Sequence, residues 1–180
     1  MNEKQLIKGC IKGERQAQEQ LYQLFSARMF AICLRYTKAQ QEAEDVLQES
    51  FIKVFKQIKS YKGEASLVFW IKRIVINTAL NSQRGKLYLY PMVDVEELKT
   101  TYEEAHDVAD YTMEELMQLV KDLPDSSQII FNLYAIEGYK HQEIAELLNI
   151  SVGTSKSQYS RAKALLRERM KGNKVKYGKG

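Results

Sequence analysis

The segment HQEIAELLNISVGTSKSQYSRAKALL, residues 141–166, carries the side chains whose chemistry is most distinctive. Its second half mixes hydroxyl, amide and cationic groups at Thr154, Lys156, Ser157, Gln158, Ser160, Arg161 and Lys163. Short hydrogen-bonding groups near a helix N-terminus suit the edges of bases, and cations suit phosphates. The same composition is also typical of a solvated face on an ordinary helical bundle, so this segment alone leaves both interpretations open.

Two helices joined by a sharp turn would position these groups. Ile144 and Ala145 fall on the inner face of the first helix, and Ala145 is small where two helices would cross. Asn149 can adopt the left-handed conformation that a tight turn needs. Ser151 can cap the second helix, which is worth about 1 kcal/mol. The pattern predicts a helix-turn-helix, with Leu165 and Leu166 directed inward.

A second polar stripe lies in SLVFWIKRIVINTALNSQR. Its members are four or three residues apart, which places them along one side of a helix: Arg73, Asn77, Asn81 and Arg84. Amides and guanidiniums suit nucleotide edges and phosphates better than a core. Tyr61 and Lys62 stand on the preceding loop, YKGE, where an aromatic ring could stack on an extruded base. Trp70 is expected to belong to the core.

The elements that carry these groups are all helical, and no segment reads as a strand. The spacing predicts helices over about 3–12, 41–59, 66–83, 112–121, 126–138, 141–148 and 152–171, and a further helix whose face includes Leu21, Leu24, Arg28, Ile32 and Tyr36. Residues 88–104 show no period and contain Pro91. We therefore predict an all-α protein with two small domains, 1–86 and 112–180, joined by a flexible acidic linker, 87–111.

Charge follows the same division of the chain. Residues 1–90 carry 15 Lys and Arg against 8 Asp and Glu, residues 91–125 carry 2 against 11, and residues 126–180 carry 10 against 4. Two basic blocks in a helical chain favour a polyanionic partner. The acidic block between them can be read as a solvating tether or as a segment that mimics nucleic acid.

Several function classes find no support in the sequence. The two cysteines, Cys10 and Cys33, lie in helical patterns and are expected to be buried free thiols, and only His106 and His141 could join them as ligands. We therefore expect no metal and no cofactor. No carboxylate cluster or phosphate-binding glycine loop suggests a hydrolase or nuclease. Without a signal peptide or a long apolar run, a cytoplasmic chain that does not insert into membranes is expected.

Taken together, the motifs resemble the extracytoplasmic-function (ECF) group of bacterial sigma factors. The run LPDSSQIIFNLYAIEGYKHQEIAELLNISVGTSKSQYSRAK is similar to that family's fourth domain, and AEDVLQESFIKVFKQI and YKGEASLVFWIKRIVINTALN are similar to its second. The resemblance implies a non-enzymatic initiation subunit. Its fourth domain would read the −35 promoter element, and its second would bind core RNA polymerase and open the −10 element.

The resemblance also assigns roles to residues. The outward face of the AEDVLQESFIKVF helix would contact the polymerase β′ subunit, through Asp45, Gln48, Glu49 and Lys53. Tyr61 would belong to the pocket for a base flipped from the −10 single strand, and Asn77 would read it. The implied partners are core polymerase through its β and β′ subunits, duplex and single-stranded promoter DNA, and an inhibitory anti-sigma protein or recruiting regulator.

Two residues of the C-terminal helix depart from the family pattern. Ser155 stands where an apolar β-branched residue is usual, and a buried hydroxyl there would need a partner or would loosen the hairpin. Gln158 stands where arginine is common, so one base or phosphate contact would be missing. We therefore hypothesise that the −35 contact is weak and that −10 contacts or a recruiting partner compensate.

One alternative remains open at the level of sequence. A helix-turn-helix regulator that acts without polymerase would need no polymerase-binding surface, and such proteins usually dimerise on a palindrome.

Overall fold

The computed structural model describes residues 2–87 and 111–177, with only the helical backbone for 84–87 and 172–177. In these ranges all regular structure is helical and no strand occurs, which confirms the all-α prediction. The chain divides into two compact units, residues 1–86 and 87–180. Most of the predicted linker falls within 88–110 and so lies outside the described residues.

The N-terminal unit contains four helices. They are α1 (Glu3–Lys12), α2 (Arg15–Tyr36), α3 (Gln40–Gln57, followed by a 3₁₀ turn at Ile58–Ser60) and α4 (Leu67–Leu87). Asn2 caps α1 reciprocally, because its side chain accepts from the Gln5 amide while its own amide donates to the Gln5 side chain. Gly13 ends α1 at φ 78°, a conformation that favours glycine.

The core of this unit draws on all four helices. Leu6, Met29, Val54 and Ile71 are buried, one from each helix in turn. Leu24, one of the residues whose spacing predicted α2, is 61% exposed. The helix is 22 residues long and its buried positions, such as Leu21 and Met29, define a face from which Leu24 is turned away.

Within residues 111–177, the C-terminal unit contains four more helices. They are α5 (Met113–Lys121), α6 (Asp125–Phe131, continued by a widened π-type turn at Asn132–Ile136), α7 (His141–Leu148) and α8 (Val152–Tyr177). Thr112 caps α5, since its hydroxyl accepts from the Glu115 amide at 3.2 Å. The single helix expected over 126–138 is therefore α6 plus a differently wound turn, in which Glu137 N–H donates to Asn132 C=O.

Helix α8 is the central packing element of the C-terminal unit. Ala162 is buried with Val120 and Leu123, and Phe131, Leu165 and Leu166 pack around them. Beyond the core, the Tyr111 hydroxyl donates to the Met170 carbonyl at 2.8 Å and Arg169 donates to the Leu119 carbonyl at 3.3 Å. These two bonds hold the later part of α8 against α5.

Over residues 2–87 and 111–177, no helix has both the length and the apolar character that a bilayer span requires.

Candidate nucleic-acid interface

The turn between α7 and α8 has the geometry that the sequence predicts. Asn149 adopts the left-handed conformation at φ 55° and ψ 51°, and the Ile150 amide donates back to the Ala145 carbonyl at 3.0 Å. The Ser151 hydroxyl caps α8 by accepting from the Thr154 amide at 2.8 Å. Because Ile144 and Ala145 are buried, the two helices form a packed helix-turn-helix.

The outward side of α8 carries four of the seven residues expected to contact DNA. Lys156 and Arg161 are exposed, and Ser157 and Ser160 are half-buried. Their positions at intervals of one, three and one residue place them on one helix face. We call these four residues the α8 face. It presents two cations and two hydroxyl groups, of which Ser157 also donates to the Thr154 carbonyl of its own helix at 3.1 Å.

Of the other three expected contacts, Thr154 and Gln158 are buried and Lys163 is half-buried. Thr154 is buried, and its hydroxyl lies 2.8 Å from that of Ser151 at the start of the helix. The Lys163 ammonium lies 4.8 Å from the centre of the Tyr159 ring, a cation–π distance. Burial removes Thr154 from the α8 face. Lys163 follows Lys156 by seven residues and so lies on the same side of the helix, and its contact with DNA stays a prediction.

Gln158 is the larger correction. Its side chain is 2% exposed, and its amide oxygen accepts from the Ser127 hydroxyl at 2.9 Å and the Ser126 hydroxyl at 3.3 Å. A side chain buried in this way cannot reach a base edge. The Gln158 side chain links α8 to α6 through these hydrogen bonds. It is therefore part of the packing between the two helices and is not available to read a base.

Ser155 is fully buried, and its hydroxyl shares a 2.8 Å hydrogen bond with Nδ1 of His141 at the start of α7. The expected loosening of the hairpin presupposed a hydroxyl without a partner, whereas this one links the two helices. His141 in turn stacks on Tyr134, with ring centres 4.2 Å apart and planes 15° apart.

The environment of His141 disfavours its charged form. Burial lowers the pKa of His141 below its usual value of 6.5, and the positive charges of Lys156 and Lys163 lower it further. The folded state therefore binds fewer protons at this site than the unfolded chain does. By linkage, the contribution of His141 to the free energy of unfolding is complete above its pKa in the unfolded chain. That contribution is lost as the pH falls below this value.

We expect the C-terminal unit to lose stability between pH 7 and pH 5, because the unfolded chain takes up a proton at His141 before the folded unit does. Urea denaturation followed by far-UV circular dichroism measures this. The fluorescence of Trp70, the single tryptophan, separates the transition of the N-terminal unit. H141N keeps an amide near the position of Nδ1 but cannot titrate, and should flatten the dependence. An unchanged profile in H141N would contradict the assignment.

The polar residues Arg73, Asn77, Asn81 and Arg84 follow one side of α4, and we call them the α4 stripe. Arg73 and Asn81 are exposed, and Asn77 between them is half-buried. The Asn77 side-chain oxygen has no hydrogen-bond partner among the described residues. Arg84 continues the stripe in the helical backbone, and its side chain lies outside what the structure describes.

The loop before α4 is closed by Tyr61. Its hydroxyl donates to the Ala65 carbonyl at 2.6 Å, and its ring lies 5.4 Å from that of Trp70. Burial raises the pKa of the Tyr61 phenol, with a smaller contribution from Glu3, so at neutral pH it stays protonated and donates this bond. Lys62 beside it is exposed, and Trp70, expected in the core, is half-buried beneath the tyrosine.

The outward side of α3 carries Asp45, Gln48 and Glu49, all exposed. Lys53 is half-buried, lies 2.7 Å from the Glu49 carboxylate, and also donates to the Thr78 hydroxyl of α4 at 3.3 Å. Sequence reasoning missed Ile52, which is 52% exposed and falls seven residues after Asp45 on the same side. The periodicity that selected the polar positions could have selected it too. We call Asp45, Gln48, Glu49 and Ile52 the α3 face.

No metal-binding constellation is found within residues 2–87 and 111–177. Cys10 and Cys33 are buried and free. Burial raises the pKa of the Cys33 thiol to about 12, and burial together with Glu14 raises that of Cys10. Both thiols are therefore protonated at neutral pH, the form that is a poor metal ligand and a poor nucleophile.

Two family models match the chain in order. Residues 21–86 match sigma-70 region 2, and residues 113–166 match sigma-70 region 4, so the two matches together span two thirds of the chain. The RNA polymerase sigma-H factor of Pseudomonas aeruginosa is 27% identical, covering 89% of this chain and 90% of its own. The ECF RNA polymerase sigma factor SigW of Bacillus subtilis is 29% identical, covering 93% of this chain and 96% of its own.

Two solved structures share the fold. The sigma factor RpoE of Bartonella quintana, in complex with the anti-sigma factor NepR, has a TM-score of 0.55 at 19% identity, over 85% of this chain and 96% of that one. CnrH, in complex with the cytosolic domain of CnrY, has a TM-score of 0.52 at 17% identity, over 93% of this chain and 96% of that one.

Fold and matches together define a two-module protein of transcription initiation, with a helical N-terminal module and a C-terminal helix-turn-helix. The chain belongs to the ECF group of sigma-70 factors. Members of this family are non-enzymatic factors that direct RNA polymerase to begin transcription. Membership sets aside the alternative of a regulator that works without polymerase.

Proposed function

We propose that this sigma factor binds core polymerase through the α3 face, reads the −35 element with the α8 face, and holds the melted −10 strand with the α4 stripe and Tyr61. The observation that carries the proposal is the division of polar groups in α8. Lys156 and Arg161 are exposed, whereas Gln158 is buried among serines. The exposed side of that helix therefore has the composition of a DNA-contacting surface, and the buried polar groups have partners of their own.

At the −35 element, phosphate contacts would dominate over base reading. The α8 face has one guanidinium, Arg161, suited to a bidentate contact with guanine, and lacks an amide because Gln158 is buried. Each good bidentate contact contributes about 1–3 kcal/mol of discrimination between bases. Modest −35 selectivity follows, which supports reliance on the −10 contacts or on a recruiting regulator.

At the −10 element, the α4 stripe offers donors and acceptors in a row. The half-buried Asn77, whose amide oxygen lacks a described partner, stands between the exposed Arg73 and Asn81. Tyr61, held by its bond to Ala65, supplies a ring of fixed orientation beside the exposed Lys62.

For the polymerase contact, Ile52 changes the chemistry of the α3 face. An exposed isoleucine beside Asp45, Gln48 and Glu49 resembles the usual arrangement of an apolar centre within a polar rim. Lys53 is better assigned to holding α3 against α4, because it already contacts Glu49 and Thr78. We therefore propose the α3 face, including Ile52 and without Lys53, as the surface for β′.

The proposal includes the cytoplasm as the place of action and an anti-sigma protein or recruiting regulator as a further partner. The similar solved structures support the anti-sigma partner, since one holds the anti-sigma factor NepR and the other the cytosolic domain of CnrY.

Run-off transcription with core polymerase tests the proposal. We expect the wild-type chain to form a holoenzyme and initiate at defined promoters. The double variant Y61A/N77A should bind core polymerase normally but lose roughly tenfold in open-complex formation, because stacking contributes about 1–3 kcal/mol per base. I52A should instead weaken core binding, with L24A as a matched exposed control on α2. Failure of the wild-type chain to bind core polymerase, or full activity of Y61A/N77A, would refute the proposed function.

A further inference from the structure

Phe69 is a large aromatic side chain that the fold leaves uncovered. It lies in the first turn of α4, where its amide donates to the Ser66 carbonyl at 3.0 Å, and it is 61% exposed. Its neighbour Trp70 is half-buried against Tyr61, and Leu67 on the same turn is fully buried. The helix thus directs Leu67 into the core and turns the Phe69 ring outward.

A single exposed apolar residue is common on protein surfaces and implies nothing by itself. Two further observations distinguish Phe69. It precedes Arg73 by four residues, so it extends the α4 stripe by one turn toward the Tyr61 loop. The Lys72 ammonium also lies 5.5 Å from the centre of its ring. An aromatic ring beside a cation, in line with amides and a guanidinium, is the composition of a platform for single-stranded nucleic acid.

We propose that Phe69 stacks on an unpaired base of the opened strand, as a platform additional to the pocket at Tyr61 and Asn77. The inference rests on the proposed function, because it takes the α4 stripe to be the path of the single strand. Stacking on a ring tolerates every base, since each has a π-face. Phe69 would therefore contribute affinity for the melted strand without adding sequence preference, and Lys72 would add positive charge beside it.

Four substitutions at Phe69 separate stacking from other uses of an exposed apolar residue. F69A removes the ring, F69L keeps apolar bulk without a π-face, and F69Y and F69W keep the ring. Each full-length variant would be assembled with core polymerase. Its affinity would then be measured for a promoter fragment with an unpaired non-template strand and for the matching full duplex. L24A, at a residue with the same exposed fraction on α2, is the control.

We expect F69A and F69L to weaken binding to the unpaired fragment roughly tenfold, whereas F69Y and F69W stay within about twofold of wild type. Binding to the full duplex and to core polymerase should be unchanged in all four, as should L24A throughout. The expected loss should be the same whichever base is placed in the unpaired strand.

Equal behaviour of F69L and F69Y would overturn the inference, because it would indicate an apolar docking contact. Loss of core binding in F69A would overturn it as well, since Phe69 would then meet the polymerase. If N77A loses affinity for the unpaired fragment and F69A does not, the inference falls and the proposed function stands. If no variant of the α4 stripe has an effect, both fall.

Discussion

Replacing Gly9 by alanine should lower the free energy of unfolding of the N-terminal unit by about 2 kcal/mol. A Cβ at this position would lie 2.6 Å from the Cβ of Ala17 on α2 and 2.9 Å from the Glu14 carboxylate. The carboxylate can move aside, but the Ala17 methyl group moves only with its helix. Alanine gains about 1 kcal/mol over glycine in a helix, against about 3 kcal/mol for strong overpacking.

Urea denaturation followed by Trp70 fluorescence measures the effect of G9A, because the single tryptophan lies in this unit. The double variant G9A/A17G removes the opposing methyl group and should recover part of the loss. G153A on α8 is the control for the substitution itself, since the nearest atom to its new Cβ is the Ser151 hydroxyl at 3.4 Å. Far-UV circular dichroism follows this control, because Gly153 lies in the C-terminal unit. Unchanged stability in G9A would mean that α1 and α2 do not pack as closely as described.

Replacing Gln158 by methionine should cost the C-terminal unit about 2 kcal/mol. Methionine nearly conserves the volume, so the effect comes from the Ser127 hydroxyl, which is fully buried and would lose the acceptor 2.9 Å away. A buried polar group without a partner costs about 1–3 kcal/mol. Hydrogen exchange of the α6 and α8 amides measures the loss within the intact chain.

The double variant S127A/Q158M replaces both partners by apolar groups and should recover most of the stability, because pairwise removal of a buried hydrogen bond can be nearly neutral. Once corrected for the folded fraction, the affinity of Q158M for promoter DNA should match wild type. A selective loss of base discrimination in Q158M would instead restore Gln158 as a reading residue and contradict its burial.

Local chemistry made the turn and the caps predictable. Asn149 is one of the few residue types that adopt the left-handed region readily, and Ser151 is a preferred cap, so α7 and the start of α8 follow from neighbouring residues. The buried thiols at Cys10 and Cys33 also agree with the helical pattern. The end of α8 does not follow in this way, because Tyr111 and Arg169 stabilise it through contacts 59 and 50 residues apart in sequence, respectively.

Helical spacing identifies a face but does not say which neighbour covers it. Gln158 and Lys156 are both polar and two residues apart, yet α6 covers one and leaves the other exposed. Leu24 and Phe69 are both apolar, yet no helix of their unit covers either. The sequence did not reveal a partner for the Ser155 hydroxyl, whereas in the structure it shares a hydrogen bond with the His141 ring on α7.

By itself, then, the sequence determined the helical class, the order of the two modules, the hairpin turn and membership of the sigma family. Each of these depends on periodicity, on short-range backbone preferences or on motif order along the chain. The tertiary structure decided which side chains are available, removing Gln158 and Thr154 from the α8 face and adding Ile52 and Phe69 as exposed apolar groups. Burial depends on residues distant in sequence, so only the packed fold could settle it.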